Sequence, residues 1–209
     1  MRLFVAVNLP EAEKTRVHDA TAVLREATLP FRWVNTDGLH LTLSFLGEVA
    51  ETRAGELMMR LAESAGRHAP FPLRLSGLGA FPNLRRPRVL WIGVHDNGSL
   101  RRLQADVAAA LETIGFAREE REYNPHLTLA RAYNDVRAGA FAQLPALAET
   151  IGYEGMMNVS TVDLMRSHPG RAGARYERIG QAPLRAGALP DSSRQRGHAV
   201  MDDPADRKR

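Results

Sequence analysis

The chain has 209 residues, 44% of them hydrophobic and 25% charged, with a formal net charge of +4 and no cysteine. The composition is that of a folded globular protein, and the length suits one substantial domain. Lack of cysteine excludes disulfides, thiolate catalysis and cysteine-ligated zinc, and suits a reducing cytoplasm. No stretch approaches the roughly 20 apolar residues of a membrane span. The opening MRLFVAVNLP turns polar too soon for a secretion signal and has no small-residue cleavage site. A soluble cytoplasmic monomer without a membrane partner is therefore expected. All but Lys14 and Lys208 of the 28 basic residues are arginine, whose forked donors suit phosphate. Part of the positive charge lies from Ala182 onward, so net charge alone argues little for nucleic acid.

Met1 to Leu9 alternates and is rich in Val and Phe, which predicts a strand, and Pro10 opens a helix through EAEKTRVHDATAVLREA. RWV at 32–34 is a short extended piece. LHLTLSFLG at 39–47 alternates strictly, placing His40, Thr42 and Ser44 on one face and Leu41, Leu43 and Phe45 on the other, with Gly47 at its end. Thr52 to Arg67 reads as a helix, and FPLRLSGLGAF and RVLWIGVH as two strands joined by PNLRRPR. NGS at 97–99 forms a turn and cap for the amphipathic LRRLQADVAAALETIG, which Gly115 stops. PHLTLARAY then repeats His-Leu-Thr-Leu at 126–129. Asp135 to Leu147 reads as a helix, and MMNVSTVDLMRS and ARYERIGQAPL as two closing strands. The order helix, His strand, helix, strand pair thus occurs twice, with little identity outside the tetrapeptide, which indicates a duplicated architecture. Residues 1–183 are expected to form this domain. From 184 the chain is polar, Pro- and Gly-containing and aperiodic, the mark of a disordered tail.

A histidine and a threonine two residues apart on a strand share a face, and the leucines on the other face fix the register. One such strand is most simply structural. Two in equivalent places of two similar lobes would bring two imidazoles and two hydroxyls to one cleft. In-line displacement at phosphorus needs a proton removed from the attacking oxygen and another given to the leaving oxygen, on opposite sides of the phosphate. Imidazoles with an unperturbed pKa of about 6.5 can do both near neutral pH. Thr42 and Thr128 can donate hydrogen bonds to the nonbridging oxygens as charge builds there. A strained cyclic phosphate on ribose suits this apparatus, and no metal or other cofactor is required.

The paired HLTL motifs at 40–43 and 126–129 resemble the H-x-T-x signature of the 2H phosphoesterase superfamily. Within it, RWVNTDGLHLTLSFLGEV, FPNLRRPRVLWIGV and YNPHLTLAR are similar to the RNA 2′,3′-cyclic phosphodiesterases of bacteria and archaea, also called 2′-5′ RNA ligases, and the similarity runs from about Met1 to Gln181. The resemblance implies an α+β fold of two pseudo-symmetric lobes, with antiparallel sheets flanking a central groove and helices outside. It implies hydrolysis of a terminal RNA 2′,3′-cyclic phosphate to a 2′-phosphate, with reversible 2′-5′ joining in some members. By position, His40 would be the proton donor and His126 the proton acceptor, while Thr42 and Thr128 would bind the phosphate and Phe45 and Arg131 the substrate. Strict alternation puts Phe45 and Arg131 on the faces opposite His40 and His126, so either a bulge or the strand's end re-aims them to the site or they are structural.

Among other candidates, Arg85, Arg86 and Arg88 could meet an RNA backbone or form a solvated loop, and Trp33 and Trp91 sit in apolar strands where packing is the simpler role. His18, His68, His95, His168 and His198 lack a threonine partner and read as surface or structural. No H-E-x-x-H pattern argues for zinc and no G-x-x-x-x-G-K-[ST] loop for ATP. Two alternatives stay open: a phosphodiesterase acting on small cyclic nucleotides or 2′-5′ oligonucleotides, and an RNA-binding module with weak or no turnover.

Overall fold

The first strand, β1 (Arg2–Asn8), is buried on both faces, because Leu3, Val5 and Val7 look into the main core while Phe4 and Ala6 look the other way into a small second cluster with Met165. That division sets out the molecule: helices cover one face of the sheet and a groove runs along the other. The structure is a computed structural model that describes residues 1–170 and 173–185. The predicted tail therefore lies outside the described residues, apart from its first two. Of these, Leu184 is buried and donates its amide to the Ser160 carbonyl at 2.8 Å.

After β1 come α1 (Glu11–Ala20) and α2 (Ala22–Glu26), then β2 (Phe31–Trp33), β3 (His40–Glu48) and α3 (Ala54–Ala65). There follow β4 (Phe71–Phe81), β5 (Val89–His95), α4 (Ser99–Glu112), β6 (His126–Ala132) and α5 (Leu144–Glu149), and the chain closes with β7 (Glu154–Val159), β8 (Thr161–His168) and β9 (Arg175–Pro183). The strands form two antiparallel sheets, ordered β3-β1-β8-β9 and β2-β6-β5-β4-β7. Each half of the sequence lends strands to the sheet that holds the other half's histidine strand, so the lobes are intertwined. Helix α3 packs on β8 and β9 and α4 on α3 and β3, while α1 and α5 pack on β7 and β4 of the second sheet.

Three predicted elements differ in the structure. The helix predicted over 11–27 breaks at Thr21, whose buried hydroxyl turns back onto the Val17 carbonyl at 2.7 Å. The helix predicted over 135–147 is confined to α5, because Gly139 takes a φ of +81°, outside the helical region. MMNVSTVDLMRS is not one strand: it breaks at Ser160 and passes from one sheet to the other, β7 pairing with β4 and β8 with β1.

Leu41, Leu43, Leu127 and Leu129 are all essentially buried. Slipping either histidine strand by one residue would exchange its two leucines for His and Thr, which costs about 3–6 kcal/mol in lost apolar transfer alone. Set against a total stability of about 5–15 kcal/mol, that locks both registers and aims both histidines away from the core.

Candidate active site

The two histidine strands share one irregularity. Along β3 the ladder to β1 pairs Thr42 with Ala6 and Ser44 with Val5, leaving Leu43 as an extra residue. Along β6 the ladder to β5 pairs Thr128 with Trp91 and Ala130 with Leu90, leaving Leu129 as the extra one. In both repeats the second leucine is thus a β-bulge, and a bulge reverses the in-and-out alternation beyond it. Phe45 and Arg131, at equivalent steps past their histidines, therefore come round to the histidine faces. The strict alternation predicted from the sequence fails at this point, for this reason. Phe45 is 63% exposed and Arg131 is also exposed.

A cavity of about 610 Å³ brings together His40, Thr42, Phe45, Thr128 and Arg131. His126 does not line it. It lines instead an adjoining hollow of about 390 Å³ that shares Thr42 and Phe45 with the first, and another of about 320 Å³ beside Phe81 and Trp91. The first two hollows share Thr42 and Phe45, and each is lined by one of the two histidines.

Both imidazoles are held in the same way. His40 Nδ1 donates to the Gly38 carbonyl at 2.7 Å, and His126 Nδ1 donates to the Asn124 carbonyl at 2.8 Å. A carbonyl can only accept, so Nδ1 carries the hydrogen in each ring and the neutral form keeps a lone pair on Nε2. His40 packs between Phe4, with ring centroids 4.8 Å apart, and the edge of Tyr176 at 5.0 Å. A Cβ on Gly38 would come within 2.9 Å of the Tyr176 ring, so any larger residue in the turn that presents this carbonyl would displace that ring. His126 meets Phe81 edge-on at 5.1 Å.

Burial pulls the His40 pKa down to about 4, against the upward pull of the Gly38 bond and with help from the charges of Arg131 and Lys14. Burial also lowers His126, which the Asn124 bond raises and the Arg131 charge lowers. Both rings are therefore neutral at neutral pH in the free protein.

The site also uses residues that the sequence did not single out. Strand β3 lies at the edge of its sheet, and the second half of the chain supplies partners there: Tyr123 donates its hydroxyl to the Thr42 carbonyl at 3.1 Å, and Gln104 donates to the Leu43 carbonyl at 3.3 Å. Burial raises the Tyr123 pKa, which keeps the phenol a donor. Gly38 and Asn124 occupy the same place before each histidine, yet they act through backbone carbonyls, so no shared side-chain type marks them. Phe4, Tyr176 and Phe81 come from other strands and carry no local signal.

The remaining candidates fall elsewhere. Arg85, Arg86 and Arg88 form an exposed loop between β4 and β5. Trp33 is half-buried, edge-on to Phe31 at 5.9 Å with Arg25 over its ring at 5.4 Å. Trp91 is half-buried beside Phe81 at 5.2 Å. His18 bonds Thr36 at 2.9 Å, His68 Asp106 at 2.9 Å, His95 Ser76 at 2.8 Å and His168 Glu177 at 2.8 Å, while His198 lies outside the described residues. Among the described residues, no group of three or more His, Asp or Glu side chains is placed to hold a metal ion, and no helix is long and apolar enough to cross a membrane.

Residues 10–171 match the 2′-5′ RNA ligase superfamily. An RNA 2′,3′-cyclic phosphodiesterase of Aeropyrum pernix is 41% identical over 137 residues, which are 65% of this chain and 73% of that protein. One of Methanothermobacter thermautotrophicus is 32% identical over 176 residues, 84% of this chain and 95% of that protein. The crystal structure of E. coli LigT complexed with 3′-AMP superposes with a TM-score of 0.69 at 26% identity, covering 88% of this chain and 97% of that one. With two histidine strands in one α+β frame and a match that spans most of the described residues, the chain belongs to the 2′-5′ RNA ligase superfamily.

Proposed function

We propose that the protein is a cytoplasmic, monomeric, metal-independent phosphodiesterase that opens the terminal 2′,3′-cyclic phosphate of RNA to a 2′-phosphomonoester. The reading rests on one observation: two histidines, each with Nδ1 tied to a backbone carbonyl, line two adjoining hollows that share Thr42 and Phe45, and the hollow of His40 also holds Thr128 and Arg131. Relatives named RNA 2′,3′-cyclic phosphodiesterase support it.

His126 Nε2 takes a proton from water, whose oxygen forms the new bond to phosphorus. The bond from phosphorus to the 3′ oxygen breaks as His40 Nε2 gives that oxygen a proton. The phosphate monoanion raises the proton affinity of His40 on binding, which charges the acid where it is needed. Thr42 and Thr128 donate to the nonbridging oxygens, Arg131 offsets the charge that grows on them, and Phe45 offers its exposed ring to the terminal nucleoside. With a 5′ hydroxyl in place of water, run in reverse, the same groups make or break a 2′-5′ linkage.

The test is incubation in EDTA with a short RNA bearing a 2′,3′-cyclic end, followed by identification of the product. Conversion to a 2′-phosphate by wild type, but not by His40→Ala or His126→Ala, supports the reading. No conversion, or conversion that EDTA abolishes, ends it.

A further inference from the structure

Beyond Arg131 lies a further hollow, of about 930 Å³, that the reaction above does not use. Its wall is basic. Arg85, Arg86 and Arg88 reach it from the loop between β4 and β5, and Arg137 from the segment after β6, with Arg131 shared between this hollow and the catalytic one. Backbone pairing brings Arg88 there: its neighbour Val89 faces Arg131 across the ladder, and its carbonyl accepts the Ala132 amide at 3.0 Å. Several arginines elsewhere are paired with carboxylates, among them Arg16 with Glu13, Arg53 with Glu56 and Arg60 with Glu63, and others such as Arg2 and Arg67 stand apart from one another without an ion pair among the described residues. Among the described residues, no ion pair engages Arg85, Arg86, Arg88 or Arg137. Tyr133, 51% exposed, opens onto the same hollow with Arg32 over its ring at 5.7 Å.

Like charges gathered without counterions repel one another, and they are relieved when a polyanion supplies the phosphates. A basic wall with an exposed aromatic ring is the make-up of a single-strand nucleic-acid groove, where guanidinium groups track the backbone and a ring stacks on a base. Its position gives the direction of the strand. A 2′,3′-cyclic phosphate ends a strand at its 3′ side, so every other phosphodiester lies 5′ of it. Resting on the reaction proposed above, we infer that this hollow binds the RNA backbone 5′ of the terminal nucleotide, with Arg85, Arg86, Arg88 and Arg137 on phosphates and Tyr133 against a base. The substrate class is then an oligoribonucleotide, in preference to a free cyclic mononucleotide.

The test compares kcat/KM on a 2′,3′-cyclic mononucleotide and on a short RNA with the same end, from about 50 to about 200 mM salt. Wild type favours the RNA by about tenfold or more at low salt, and the preference shrinks as salt rises, with a log–log slope of about −0.7 for each phosphate contacted. The triple variant Arg85→Ala, Arg86→Ala, Arg137→Ala loses that preference and keeps its rate on the mononucleotide. Equal wild-type rates on both substrates, or a variant that falls equally on both, overturns the inference and leaves the proposed reaction standing. If neither substrate is opened, the proposed reaction fails. Fluorescence anisotropy of a labelled RNA with a 3′-phosphate then still reads the hollow: weaker binding by the triple variant supports the inference, and unchanged binding overturns it.

Discussion

His40 and His126 share a tetrapeptide, a bulge and the same carbonyl anchor, yet their surroundings differ. β3 is an edge strand whose free side is met by Tyr123 and Gln104, and His40 is wedged between Phe4 and Tyr176. β6 lies inside its sheet between β2 and β5, and among the described residues His126 meets one aromatic ring, that of Phe81. The fold has thus copied the geometry and varied the environment. An acid and a base drawn from one residue type need this, because position sets which oxygen each ring can reach and environment sets how tightly each holds a proton.

The largest expected effect breaks the pair outright. His40→Ala and His126→Ala should each lower kcat by about 10²- to 10⁴-fold with little change in melting temperature, as read by steady-state kinetics and circular dichroism. A variant that keeps most of the activity would show that the two strands are not a working pair. Next come the hydroxyls. Thr42→Val and Thr128→Val each remove one donor to the phosphate and should cost about 10²-fold in kcat. Because both line one cavity, the two losses should be similar, and a loss confined to one would assign phosphate binding to a single lobe.

The protonation contrast has two readouts. His40 holds its proton only below about pH 4 in the native state, whereas an unfolded histidine does so below about 6.5. The unfolded chain therefore takes up a proton first as pH falls. Stability is full above pH 6.5 and declines toward pH 4, by on the order of 3 kcal/mol, in denaturant titrations. Inorganic phosphate should oppose the decline by favouring the charged ring. With the free base and the free acid both shifted down, kcat/KM should peak below pH 6.5 and kcat, which reports the complex, at higher pH. Coincident optima for the two would contradict the proposed charging of His40 by substrate.

The smallest effect sharpens the comparison. Tyr176→Leu lets water nearer to His40 and should move its titration upward by a fraction of a unit, leaving His126 unmoved, as followed by NMR of the imidazole protons. Phe81→Leu should do the reverse.

Most strands and the long helices α3 and α4 were legible because their apolar periodicity coincides with burial on one face. The elements misread were those where a single residue decided: Thr21 and Gly139 interrupting helical patterns, and Ser160 splitting a run that looks continuous. Phe45 and Arg131 show the same limit within the site, since a period-two argument cannot foresee an extra residue in the ladder. The arginine loop was visible as sequence, but its convergence with Arg131 and Arg137 depends on how β5 and β6 pair.

By itself the sequence determined two His-x-Thr faces, held outward by leucines too costly to expose, and excluded thiolate chemistry. The tertiary structure alone decided how those faces meet, which bulges turn Phe45 and Arg131 into the groove, and how deeply each imidazole is buried. The physical reason is range. Alternation and apolar transfer act within a strand, whereas desolvation and charge at His40 depend on Phe4, Tyr176, Arg131 and Lys14, brought together only by folding.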